Sequence, residues 1–165
     1  MAKKPLREFF EKHVDGTAEK MKVADVKLHL CNLTNIVAVV LGLENEKTHK
    51  VHITARALKH LYDKKPAEEF FQLLDGLDEV TRLPLHVYEN KKGKRGAFCL
   101  VGEYGGAEYI CAIEVVNAQF LGEKDEFIQK NAIELQIATG FRNRDKNYLN
   151  KCTLLWSWRD GNPPS

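Results

Sequence analysis

Residues 97–116 read AFCLVGEYGGAEYICAIEVV, and the fold turns on this stretch. Apolar residues dominate both halves, and Gly105-Gly106 divides them. Two consecutive glycines suit the positive φ angles of a tight hairpin turn. Ala97–Tyr104 and Glu108–Val116 therefore read as paired antiparallel strands.

Working outward, the period of two continues on both sides. Leu83–Glu89 reads as a strand, followed by a turn at Asn90–Gly93 among Lys91, Lys92, Lys94 and Arg95. Ile133–Phe141 alternates, so Ile133, Leu135, Ile137, Thr139 and Phe141 are expected on one face. The connection Asn117–Asn131 is long for a hairpin and has room for a helical turn at Asp125–Lys130. Arg144–Cys152 suggests a short helix, and Leu154–Trp158 a returning strand or an extended tail.

Before residue 83 the period is 3.6. Leu6–His13 has an amphipathic pattern, broken by Asp15-Gly16-Thr17, and Ala18–Asp25 is a charged linker or arm. Val26–Leu30 alternates as a short strand. Asn32 or Thr34 can cap a helix that reaches Leu41, with Gly42 at its C-terminal end. Its apolar side, with Leu33, Ile36, Val37, Val40 and Leu41, is expected in the core. Thr54 caps the next helix, with Leu58, Leu61 and Tyr62 on one face and Arg56, His60 and Lys64 on the other. A third helix follows Pro66, and Gly76 is expected to end it.

Helices followed by strands predict an α+β fold, with N-terminal helices packed on a mostly antiparallel sheet of about four to five strands. The expected division is an N-terminal helix and arm over 1–25 and one α+β domain over 26–165.

The chain has 165 residues, 44% hydrophobic and 29% charged, with a formal net charge of +2. That composition is globular, and any nucleic-acid footprint has to be local. Cys31, Cys99, Cys111 and Cys152 form no C-x-x-C pair, so reduced packing thiols are expected. The start has no apolar leader, and Ile36–Leu41 is the longest apolar run. A cytoplasmic protein with no membrane association is the expectation.

No phosphate-binding glycine loop, dinucleotide fingerprint, zincin motif or nucleophile elbow is present. His49 and His52 lie three apart without a nearby carboxylate cluster, so no metal and no cofactor are expected. Cleavage of RNA by its own 2′-hydroxyl needs a base, an acid and positive charge near the phosphate. His60 with Arg56 and Lys64, and Thr139 with Arg142, Arg144 and Lys146, supply such groups from two elements. Tyr88 shares a strand face with His86 and can stack or donate. Each also has a plainer reading: Thr139 as the end of a core row, and the cations as a solvated surface.

VHITARALKHLYDKK at 51–65, PLHVYEN at 84–90, GAFCLVGEYGGAEYICAIEV at 96–115 and ELQIATGFRNRDKNYLNKCTLLW at 134–156 occur in that order. In this order the chain resembles the phage-associated branch of the barnase–EndoU–colicin–RelE-like nucleases, over about residues 26–160. The resemblance implies a small sheet on helices with the active site on the sheet's open face. It implies a metal-independent endoribonuclease, a toxin or effector of phage or prophage origin. His60 and Thr139 match motif residues, and Arg142 lies in the matching segment after the strand. RNA is the implied partner, beside an immunity protein or a phage structural protein. The alternative is a catalytically inactive RNA- or protein-binding module on the same fold. A third reading is a structural domain whose tail (Leu154, Leu155, Trp156, Trp158) docks on another chain.

Overall fold

The Gly105-Gly106 turn forms as the sequence suggests, with φ of +60° and +80° at the two glycines. It joins β4 (Phe98–Tyr104) to β5 (Ala107–Asn117) in unbroken antiparallel register. A computed structural model describes residues 4–17, 23, 25–42, 49–89, 98–117, 133–145 and 147–158. The expected turn at Asn90–Gly93, its basic neighbours, most of the Asn117–Asn131 connection and Lys146 lie outside the described residues.

In chain order the described elements begin with α1 (Pro5–His13), β1 (Lys27–Asn32), α2 (Asn35–Val40) and β2 (Lys50–Thr54). α3 (Ala55–Lys64), α4 (Ala67–Arg82) and β3 (His86–Glu89) follow. After β4 and β5 come β6 (Ile133–Arg142), a 3-10 turn at Tyr148–Lys151, and β7 (Thr153–Ser157). The strands form one sheet in the order β1-β2-β6-β5-β4-β3-β7. The α+β class holds, but seven strands replace the four to five expected. The tail resolves into β7. β2 is added because Val51 and Ile53 bury fully beside β6, in a segment too short to announce itself by periodicity. β2 and β6 run parallel, and every other neighbouring pair is antiparallel.

All the longer helices cover one face. Leu58 and Leu61 of α3, and Phe70, Leu73, Leu74 and Leu77 of α4, share a buried cluster with Val51, Ile53, Leu135 and Ile137 of the sheet. Leu6, Phe9 and Phe10 of α1 belong to the same cluster, and Phe10 meets Tyr62 and Phe70 at 5.1 Å each. Burial of these side chains at roughly 1.5–3 kcal/mol each is the main stabilising contribution. Thr34 and Thr54 cap α2 and α3 by accepting from the amides of Val37 and Ala57. Ile36, expected in the core, is exposed instead. With Leu83, Pro84, Trp156 and Trp158 it lines a shallow apolar groove.

Two expectations fail for local reasons. Gly76 does not end its helix; α4 continues to Arg82, and Gly76 is where the Tyr104 ring presses against it. The β6 row does not stay on one face. Ile113 pairs with Ile137 and Ala112 with Thr139, leaving Ala138 as an extra residue in a β-bulge. Leu135 and Ile137 face the helices, whereas Thr139 and Phe141 project from the opposite face. Gly140 then turns inward against Leu73 and Leu77. On the opposite face Cys99, Val101, Ile110, Ala112 and Ala138 form a second small cluster, flanked by Tyr88, Phe141, Tyr148 and Leu149.

Candidate functional site

The Thr54 cap fixes where α3 begins, and burial of Leu58 and Leu61 fixes its rotation. Arg56 and Lys64 are consequently exposed and His60 is half-buried, all on the helical layer. Lys59 is the cation drawn inward, on Asp63 at 2.8 Å and 5.3 Å from the Tyr62 ring centre. Thr139 projects from the far face of the sheet, as does Tyr88, whose ring lies 6.4 Å from His86. Burial, then the charge of Glu108, pushes the Tyr88 hydroxyl above its ordinary range. The predicted residues therefore divide between two faces.

At the end of β6 the α3–α4 corner meets the strand. Lys65 Nζ stands 5.6 Å from the centre of the Phe141 ring, and Tyr148 packs edge-on to that ring at 5.0 Å. Arg144, largely exposed, pairs with the buried carboxylate of Glu69. Burial lowers the Lys65 pKa, with Glu69 opposing and Arg144 adding to the shift. Arg142 is exposed opposite Tyr109, whose hydroxyl donates to Gln72 Oε1 at 2.6 Å.

A second polar group, which spacing alone does not reveal, lies on the face away from the helices, at β1, β2 and β6. His29 pairs with His52, and His52 with Gln136, so their side chains share that face. The two imidazole rings are 5.5 Å apart. His52 Nδ1 lies 3.6 Å from Glu134 Oε1 and has no hydrogen-bond partner among the described residues. Lys27 bonds Glu134 Oε1, and Gln136 Nε2 donates to Oε2 at 2.6 Å. His29 Nε2 is 2.7 Å from Asn32 Oδ1.

The electrostatics follow from that packing. Burial pushes the His52 pKa down; Glu134 opposes this, and Lys27, His29 and Lys50 add to it. Burial raises the Glu134 carboxyl, but hydrogen bonds from Lys27 and Gln136, with the charges of Lys27 and His52, outweigh it. Glu134 thus titrates below its ordinary value. A neutral imidazole beside an ionised carboxylate and a lysine is a proton-accepting group with positive charge at hand.

Among the described residues no group of three His, Cys, Asp or Glu side chains has metal-site geometry. All four cysteines are free thiols. Among the described residues, no helix is long and apolar enough to cross a membrane. Comparison with protein-family models, curated proteins and solved structures finds no match to this chain.

Proposed function

We propose that this chain is a metal-independent endoribonuclease that cleaves RNA by attack of the ribose 2′-hydroxyl, with proton transfer at His52. The observation that carries the reading is the His52–Glu134 pair, with His29 and Lys27 beside it on the same sheet face. Glu134 Oε1, 3.6 Å from Nδ1, favours the tautomer that carries its proton on Nδ1 and leaves Nε2 to accept one.

His52 takes the 2′-hydroxyl proton as the O2′–P bond forms. The P–O5′ bond breaks, and the departing oxygen takes a proton from His29. Lys27 offsets the charge that builds on the phosphate oxygens. The products are a 2′,3′-cyclic phosphate and a free 5′-hydroxyl.

The test is cleavage of labelled RNA in EDTA by the wild type and by His52→Ala, Glu134→Gln and His60→Ala. Cyclic phosphate ends from the wild type, and their loss with His52→Ala, support the reading. Loss with His60→Ala alone moves proton transfer to α3 and overturns the assignment to His52. Salt-sensitive RNA binding without any product identifies an inactive binding module instead.

A further inference from the structure

The bulge at Ala138 has a consequence beyond the histidine pair. It aligns Gln136, Thr139 and Phe141 along one side of β6, between the His52–Glu134 cluster and the α3–α4 corner. Without the extra residue, strict alternation would aim Thr139 and Phe141 at the helices. Along this line the groups are an amide, a hydroxyl and an aromatic ring. A lysine lies over the ring, and Arg144 follows the strand end. Gln136 to Phe141 spans roughly 16 Å of strand, more than one nucleotide can reach.

We infer that this line is a subsite for single-stranded RNA, in which Phe141 stacks a base remote from the scissile bond while Lys65 and Arg144 hold the phosphates around it. Each group suits that role physically. Aromatic rings accept any base, because every base has a π face. Lys65, with Arg144 near it, places positive charge beside the ring, and Tyr148 packs against the ring at 5.0 Å. Glu69 pairs with Arg144, so a phosphate there competes with that carboxylate for the guanidinium. A-form duplex cannot reach the ring, because its bases are already stacked. The inference rests on the reading of this sheet face as an RNA site.

The experiment has two arms. In the first, fluorescence anisotropy measures binding of a non-cleavable 2′-O-methyl octamer and of the matching dinucleotide. Phe141→Leu is expected to weaken octamer binding about 10-fold and to leave the dinucleotide unchanged. Phe141→Tyr, which keeps the ring, should restore it. Arg144→Ala, at a side chain 59% exposed, should weaken octamer binding and flatten its dependence on salt. In the second arm, kcat/KM is compared for RNA octamer and dinucleotide.

Equal octamer binding by wild type, Phe141→Leu and Arg144→Ala overturns the subsite even if the wild type cleaves RNA. Preference for duplex over single strand overturns it too. Ring-dependent octamer binding by a wild type that cleaves nothing supports the subsite while ending the nuclease reading. Normal far-ultraviolet circular dichroism of each variant keeps lost binding distinct from lost folding.

Discussion

Gly76 of α4 lies directly against the ring of Tyr104 on β4, so that a Cβ there would come within 2.6 Å of Tyr104 Cδ2. The helix pays for this approach in intrinsic propensity and gains a close helix–sheet contact in exchange. The neighbouring Val80 stands against Gly102 in a looser version of the same arrangement.

Gly76→Ala should therefore destabilise the protein although alanine is the better helix former. Overpacking of this kind costs about 1–3 kcal/mol, against at most ~1 kcal/mol gained from propensity. In a Tyr104→Ala background the clash is gone, and the same substitution should stabilise. Urea unfolding of the four proteins measures the sign reversal; equal effects in both backgrounds refute it.

Loss of the Thr54 hydroxyl should cost about 1 kcal/mol, because it accepts the Ala57 amide at the start of α3. Thr54→Ser should retain most of that. Urea midpoints for Thr54→Ala and Thr54→Ser test it, and indistinguishable midpoints would count against the cap.

Acid should weaken the fold in two stages through the strand-face cluster. The folded-state pKa of His52 lies below its ordinary 6.5, so the unfolded chain takes up that proton first. Its contribution is complete above 6.5 and declines as the pH falls toward the folded value. Glu134 titrates below its ordinary 4.5, so its contribution is present above that value and is lost as the pH falls through the folded pKa. His52→Gln should flatten the upper stage and Glu134→Gln the lower one. Denaturant unfolding from pH 7.5 to 3 reads both; a variant profile parallel to the wild type throughout contradicts the assignment.

Three of the four thiols should resist alkylation in the native state. Burial pushes Cys31, Cys99 and Cys111 up to about 12, leaving on the order of one thiolate in ten thousand at pH 8. Mass spectrometry after brief iodoacetamide treatment should find these three unmodified until denaturant is added. Rapid native labelling of Cys111 would contradict its complete burial.

What the residues disclosed by themselves depended on the range of the interaction. The Gly105-Gly106 turn and the Thr54 cap are decided within a few residues and were legible, while the α2 cap was narrowed to Asn32 or Thr34, of which Thr34 serves. Gly76 misled, because its reason for being glycine is a tyrosine on another element. The alternation of β6 was legible only as far as Ile137, since the bulge is set by its partner β5. The strand-face cluster was not legible at all. Lys27 and Glu134 are 107 residues apart, and only the sheet order makes them neighbours. Of the eight residues picked out from the sequence, Lys146 lies outside the described residues. Thr139 and Tyr88 share the sheet face with the histidine pair, and His60, Arg56 and Lys64 sit on the helical layer.

The parallel seam between β2 and β6 also sets a timetable. It joins Val51 to Leu135, so the β1–β2 ribbon leaves the ribosome well before the strand that will complete its inner edge. A lone two-stranded ribbon is at best marginally stable in water, and long-range pairing of this kind forms late. His52 and Glu134 sit on opposite sides of that seam, so no N-terminal fragment that ends before β6 contains both halves of the pair. A nascent chain is therefore chemically incomplete until synthesis has passed β6, and a prematurely terminated one stays so.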